Sequence, residues 1–451
     1  MVNRNDLVDP EGAIASWRAY LVSRGSVSDI DADELEDHLR SQIDALQAGG
    51  LDEDEAVLIA IKRMGRQDEI AGEFARENSR RLWKQLVVGG AGSGRPRRLD
   101  GGVIVFGFAI LAALLAKLPE LLGAPLTPAL LGGGILALAA LGGSIAWRTR
   151  PPTALVVASA IGFALFFVLA LAYPFGDEGG DTLIIFGLHA PVVLWLLVGL
   201  VYAGAAWRET ARRMDFVRFT GEWIIYLALI GLGGGVLIGI TAAVFGALGA
   251  DLGSFFGEWV VPCGAAGAAV VAAWLVDSKQ EVIENMAPVL GRVFTPLFTV
   301  AVLAMLVGAI VTGGFGAYRE VLIVVDVLLV VVTGLVLYVV SAQQPTARAG
   351  WTEHLQLVLV LAAFALDGFA LVAMIGRTVD GGFTPNRIVA LGVNVVLLVG
   401  LAGSAWLLGR RVFAGDASTR RLVAWQTGYL PVYGAWALIV AVALPPIFAF
   451  A

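Results

Sequence analysis

From residue 101 onward the chain alternates between long apolar blocks and short polar breaks. Eleven blocks are long enough to cross roughly 30 Å of hydrocarbon. They are residues 101–118, 127–147, 153–173, 182–206, 222–247, 259–276, 294–313, 321–341, 355–376, 388–409 and 428–448. The first is short, and the last carries Pro431, Pro445 and Pro446. Before residue 90 the pattern changes to apolar positions at helical spacing. Ile14, Trp17 and Leu21 mark one helix, and Leu35, Leu39, Ile43 and Leu46 a second. Val57, Ile61 and Met64 mark a third, and Ile70, Phe74 and Trp83 a fourth. Gly49-Gly50 closes the second helix, because glycine accepts the left-handed cap. Asp52 with Glu55 has the spacing of a capping box for the third. The pattern predicts an all-α protein, a polytopic transmembrane helical bundle of about eleven spans preceded by a small cytoplasmic helical bundle. Its parts are an acidic helical domain at 1–88, a flexible basic linker at 89–100 and a transmembrane domain at 101–451.

Composition narrows the class. Of 451 residues, 58% are hydrophobic and 15% charged, against roughly 45–50% and about 25% in soluble chains. A single cysteine, Cys263, excludes an internal disulfide scaffold. The histidines His38, His189 and His354 are too scattered for metal-ligand spacing, and no cofactor motif is present. Residues 1–90 hold 11 Lys/Arg and 18 Asp/Glu, so the formal net charge of −6 belongs to the N-terminal region. No apolar stretch follows Met1, so no cleavable signal peptide is expected. Gly89–Gly94 is a flexible linker. It is not a nucleotide-binding loop, since no Gly-Lys-Ser/Thr follows. With the N-terminus in the cytoplasm, 16 of the 20 basic residues beyond position 90 fall on the cytoplasmic side; Lys117, Arg319, Arg377 and Arg387 fall outside. That split obeys the positive-inside rule. The odd number of spans then places the C-terminus outside.

The N-terminal residues carry a resemblance. The run Asp33-Glu34-Leu35-Glu36-Asp37-His38-Leu39-Arg40, then Gly50-Leu51 with Glu55-Ala56, then Ala60 through Arg63-Met64-Gly65, resembles the permease prefix domain, also described as the helix-turn-helix-associated helical signalling domain. The likeness covers roughly residues 12–80. It implies a cytoplasmic domain ahead of membrane segments, often paired with PadR-like winged-helix transcription regulators, and no enzyme activity. The acidic helix carrying Glu34, Glu36, Asp37 and His38 is either a solvated face or a docking surface for a basic partner, because opposite charge accelerates encounter. A bundle of about 80 residues is near the lower size for one core, so a partner or self-association would stabilise it. Direct nucleic-acid binding is not expected.

Charges inside apolar blocks are the natural functional candidates, since each costs a few kcal/mol unless paired or hydrated. Asp326 lies in the eighth block, Asp367 in the ninth and Asn394 in the tenth, with Arg319, Arg377 and Arg387 bordering the same three at their outer ends. These six form an expected outward-facing polar cluster. Either its members satisfy one another as an ionic network or they line a hydrated cavity. Gly381 through Arg387, Gly-Gly-Phe-Thr-Pro-Asn-Arg, is similar to a G-x-T-x-N-R element of an uncharacterised bacterial family of multi-pass membrane proteins. That resemblance implies a location in the bacterial plasma membrane. Thr384 suits a helix cap, Pro385 the first turn, and Arg387 a pairing with a carboxylate. Gly231, Gly235 and Gly239 share one face and predict close helix packing, within the chain or, as the lesser alternative, at a dimerisation face. Trp207, Trp223, Trp351 and Trp425 sit at block ends as interfacial anchors, and Glu222 is expected to reach water. The leading functional expectation is a membrane-embedded sensor whose cytoplasmic domain docks a partner such as a PadR-like regulator. The second is a secondary carrier using Asp326 and Asp367. No acid–base or metal constellation points to an enzyme.

Overall fold

The computed structural model describes residues 29–52, 56–57, 59–60, 97–175, 180–248, 251–278, 286–314, 319–341, 350–413 and 419–450. They fall into two compact units, Met1–Pro96 and Arg97–Ala451. In the first, helix α1 spans Asp29–Ala48. Leu39 and Ile43 are buried along it, four residues apart on one face. The chain leaves α1 through Gly50 at φ +93°. There Leu51 N donates to the Leu46 carbonyl (3.3 Å) and Gly50 N to that of Gln47 (2.9 Å), the paired bonds of a Schellman motif. Ala56, Val57 and Ala60 are buried in the next helical segment, while Ile61 and Met64 of its predicted pattern lie outside the described residues. The predicted first and fourth helices, and Glu55 of the capping box, lie outside the described residues.

The second unit consists of helices α2 (Arg97–Leu121), α3 (Leu126–Thr149), α4 (Thr153–Ala172), α5 (Asp181–Ala203), α6 (Thr210–Ala247), α7 (Val261–Ser278), α8 (Met286–Thr312), α9 (Arg319–Ser341), α10 (Trp351–Gly381), α11 (Pro385–Phe413) and α12 (Arg420–Val442), with a short final turn, α13 (Leu444–Ile447). No strand occurs among the described residues. Among the described residues ten helices are long and apolar enough to cross a membrane; each overlaps one of the first ten blocks, with α6 starting at Thr210, twelve residues ahead of its predicted start. The protein is a multi-pass membrane protein. The eleventh block behaves differently. Its helix starts at Arg420, eight residues ahead of the predicted start, and Pro445-Pro446 confine the remainder to α13. Gln426 and Thr427, in its first half, are buried against protein. With Gln426, Thr427, Gly428, Tyr429 and Pro431 in its first half, α12 is less apolar than the other ten, though its 23 residues match them in length.

Among the described residues two large apolar cores stand out, with a smaller cluster around Ile185, Val389, Val440 and Leu444. One gathers α2–α5 and α7 around Leu141, Ile145, Phe166, Phe186 and Leu194. The other gathers α8–α12 around Leu322, Leu329, Leu359, Val360 and Leu366. Helix α6 joins them: Phe216 and Phe219 enter the first core and Met214 the second. Arg148 at the end of α3 is ion-paired with Asp277 of α7, tying two helices at one end of the first core. Close approach decides several positions. A Cβ at Gly133 would sit 2.0 Å from the Ala116 carbonyl oxygen, so α2 and α3 touch backbone to backbone there.

Three local expectations need correction. Gly231, Gly235 and Gly239 have no atom within 4 Å of a built Cβ, so this stripe makes no packing contact among the described residues; most of its part of α6 is exposed. Glu222, expected in water, is buried where α6 passes between the cores. Trp223 and Trp425 point inward rather than anchoring an interface. Their indole N–H groups donate to the Ala269 (2.9 Å) and Gly400 (3.2 Å) carbonyls.

Candidate functional site

Three helices of the second core bring Asp326, Asp367 and Asn394 together. Helices α10 and α11 are joined by a three-residue turn, with Gly382 at φ +77°, a region glycine enters without steric cost. Thr384 caps α11 by accepting from Arg387 N (3.4 Å), and Pro385 opens the helix. Asp367 and Asn394 therefore ride on two helices joined by a defined turn, each with a packed inner face. Along α10, Leu366, Asp367, Ala370, Met374 and Thr378 form a buried stripe. Asp367 and Asn394 are both 0% exposed; Asp326 is half-buried.

The hydrogen bonding is incomplete. Asn394 Nδ2 donates to Asp326 Oδ1 at 3.0 Å and to the Ala390 carbonyl at 2.8 Å. Asn394 Oδ1 and both oxygens of Asp367 are buried with no hydrogen-bond partner. Asp326 is close enough for its charge to act on Asp367. Three helices thus present a pocket of acceptor oxygens supplied with one amide donor. Buried polar groups are almost always satisfied, so the deficit marks this pocket as the place where a donor or cation belongs.

The three arginines take other positions. Arg387 Nη1 donates to the Gly382 carbonyl at 2.7 Å, so it braces the turn instead of meeting the expected carboxylate. Arg319 approaches Asp181 of α5 at 4.0 Å. Arg377 lies ten residues beyond Asp367, about 15 Å along the helix. Its Nη1 is buried without a partner. In the N-terminal unit, Glu36 is ion-paired within α1 to Arg40 (2.9 Å) and Asp37 is exposed. Glu34 and His38 lie in the same helix, with side chains outside the described residues.

A second polar group went unread in the sequence. Glu353, at the start of α10, lies 3.6 Å from Arg411 near the end of α11, both buried. Glu353 Oε2 also accepts from Gly350 N (2.8 Å) and Thr352 Oγ1 (2.9 Å). Gln356 Nε2 reaches the Val336 carbonyl of α9 at 3.5 Å. The signal was available in the spacing: Glu353, Gln356 and Asp367 occupy one heptad face of α10. Isolated charges at block ends read as interfacial residues, and that concealed it.

Among the described residues no group of three His, Cys, Asp or Glu side chains is placed to hold a metal ion. His189 Nδ1 bonds the Ile185 carbonyl of its own helix at 2.8 Å, and the Cys263 thiol lies 3.5 Å from the Ala113 carbonyl. Compared with protein-family models, curated proteins and solved structures, the chain matches none.

Proposed function

We propose that this protein is a proton-responsive membrane protein of the secondary-carrier kind, working through Asp326, Asp367 and Asn394. One observation carries the reading: Asp367 is fully buried, neither of its oxygens has a donor, and it shares its pocket with a second carboxylate. An ionised carboxylate in hydrocarbon costs several kcal/mol without a counter-charge. Arg319 and Arg387 are directed elsewhere. A mobile cation supplies the missing charge, and the proton is the one that fits a pocket already occupied by side chains. Loading and unloading it changes the net charge between three helices, which is the differential a carrier needs to favour one packing over another. The test is proton entry into proteoliposomes under an imposed pH gradient, read by an entrapped pH-sensitive dye. Wild-type protein admits protons and Asp367→Asn slows entry by about tenfold or more. Equal flux in the two proteins, or none in wild type, overturns the reading.

The acidic N-terminal unit favours a second use of the same site. In this reading the unit is cytoplasmic, as the arginine and lysine distribution requires, and the membrane domain acts as a sensor that holds or releases a basic partner such as a PadR-like winged-helix regulator. The supporting observation is the exposed Asp37 beside Glu36 on α1, in a region with a large acidic excess. Co-purification of that regulator with the full chain, lost on Glu36→Lys/Asp37→Lys, supports docking. Retention by the charge-reversed protein excludes this surface.

A further inference from the structure

The helices of the first core leave a groove on their outer side. It runs between α3 and α4, over Val201 of α5, and is lined among others by Ile135, Ala139, Ala146, Ala160 and Ala164. Its volume is about 380 Å3, and it is open on the side where Ala160 and Ala164 are exposed. Gly142 and Gly143 on the α3 wall and the alanines on the α4 wall leave the space unfilled. Packed helices hold few voids larger than a water molecule, so a space of this size takes an occupant. Water is a poor one, because a bound water needs about two to four polar partners. Ser159 is the one polar side chain in the lining, and its hydroxyl already reaches the Leu197 carbonyl at 3.4 Å. An apolar chain fills the groove without leaving a polar group unmet.

The groove's length and its mouth identify that chain. Ile135 and Ala146 are eleven residues apart on α3, about 16 Å along the axis. That is roughly half of a 30 Å hydrocarbon core, the depth of one leaflet. Just past Ala146, Trp147 and Trp207 are exposed (43% and 36%), as indoles at headgroup level are. The α3–α4 and α5–α6 turns meet here: Thr149 Oγ1 reaches the Val201 carbonyl at 3.3 Å, and Pro151 lies 3.8 Å from the Cβ position of Gly204. These turns carry Arg150 and Arg208, both exposed, with Arg208 over the Trp207 ring at 4.8 Å. Arg213 adds a third guanidinium, its Nη2 donating to the Arg208 carbonyl at 2.7 Å. Arg148 is taken up by Asp277 and Arg212 by Asp215. Glu209 is the acid left in these turns, so positive charge exceeds negative. Basic side chains at the mouth of an apolar groove between membrane helices suit an anionic lipid headgroup. We infer that α3, α4 and α5 form a binding site for one anionic phospholipid of the bilayer, with an acyl chain laid in the groove and its phosphate met by Arg150 and Arg208. This site is separate from the carboxylate pocket, which belongs to the other core.

The test is thermal unfolding of the full-length protein in detergent, with one compound added at a time. A ligand that binds the folded state raises the midpoint. Phosphatidylglycerol is expected to raise it by several degrees, and phosphatidylcholine, with the same chains and no net charge, by clearly less. Glycerol phosphate, which carries the anion without the chains, is expected to leave it unchanged. Equal shifts from the two lipids, or a full shift from glycerol phosphate, overturn the site. Two variants separate headgroup from groove. Arg150 sits at φ 48°, a region asparagine also enters, so Arg150→Asn/Arg208→Gln removes both charges and keeps the turn. This pair is expected to weaken phosphatidylglycerol binding by about tenfold or more, down to the phosphatidylcholine level. Ala160→Leu/Ala164→Leu fills the groove from two exposed positions and is expected to lose the phosphatidylglycerol shift. If the leucine pair does not assemble, Ala160→Leu alone replaces it with the same expectation. A wild-type response to phosphatidylglycerol in the charge variant overturns the headgroup contact, and one in the leucine variant overturns the groove.

Discussion

Asn394 is where one side chain decides the state of several others. Its Nδ2 is shared between Asp326 and the Ala390 carbonyl, and the amide supplies the hydrogen bond that Asp326 Oδ1 receives. Replacing it with leucine, close in volume, removes the hydrogen bond to that half-buried oxygen, which costs about 1 kcal/mol. Asn394→Leu is therefore expected to lower the thermal midpoint of the detergent-solubilised protein by several degrees. Adding Asp326→Leu removes the stranded acceptor and should recover part of the loss. A double variant whose loss equals the sum of the two single losses would show that the amide and carboxylate do not act as a pair. The sequence marked Asp326, Asp367 and Asn394 as unusual because polar groups in apolar blocks are costly. It carried no information on which would touch, since helix neighbours are set by packing across segments far apart in the chain.

At the scale of elements, glycines on α11 form seats for aromatic rings of α12. A Cβ at Gly403 would lie 2.1 Å from Trp425, and one at Gly392 would lie 1.8 Å from Trp436. Gly403→Ala must displace the indole and with it the bond from Trp425 Nε1 to the Gly400 carbonyl. Overpacking of this sort costs about 1–3 kcal/mol. Gly409, in the same helix, has open space around it, so Gly409→Ala gains helix propensity at no steric cost. The midpoint is expected to fall for Gly403→Ala and to stay or rise for Gly409→Ala. Equal responses would mean that the rings do not depend on the glycine seat. Helix positions were legible because block lengths follow hydrocarbon thickness, and each of the first ten blocks overlaps a helix. Inward rotation of Trp425 was not legible, because an aromatic at a block end suits an interface and a glycine seat equally well.

For the whole molecule, the distribution of charge predicts orientation. Sixteen of 20 basic residues beyond position 90 lie on one predicted side, so the acidic unit is expected in the cytoplasm. Cys263 is the single cysteine, which makes a Cys263→Ser background ready for one-cysteine reporters in intact cells. A cysteine replacing Asp37 should be closed to a membrane-impermeant maleimide, and one replacing Phe383 open to it. The reverse result would invert the topology and remove the cytoplasmic partner from the sensor reading. What the chain's order of residues determined by itself is the helical class, the length and placement of ten apolar helices, and the concentration of acid ahead of them; these follow from local hydropathy and periodicity. Only tertiary structure decided that Asp367 lies beside an Asp326–Asn394 pair, that Arg319 and Arg387 reach Asp181 and the Gly382 carbonyl instead, and that Gln426 is buried on α12. A helix's neighbours and rotation depend on contacts between residues distant in sequence, and the pattern within one apolar block holds no record of them.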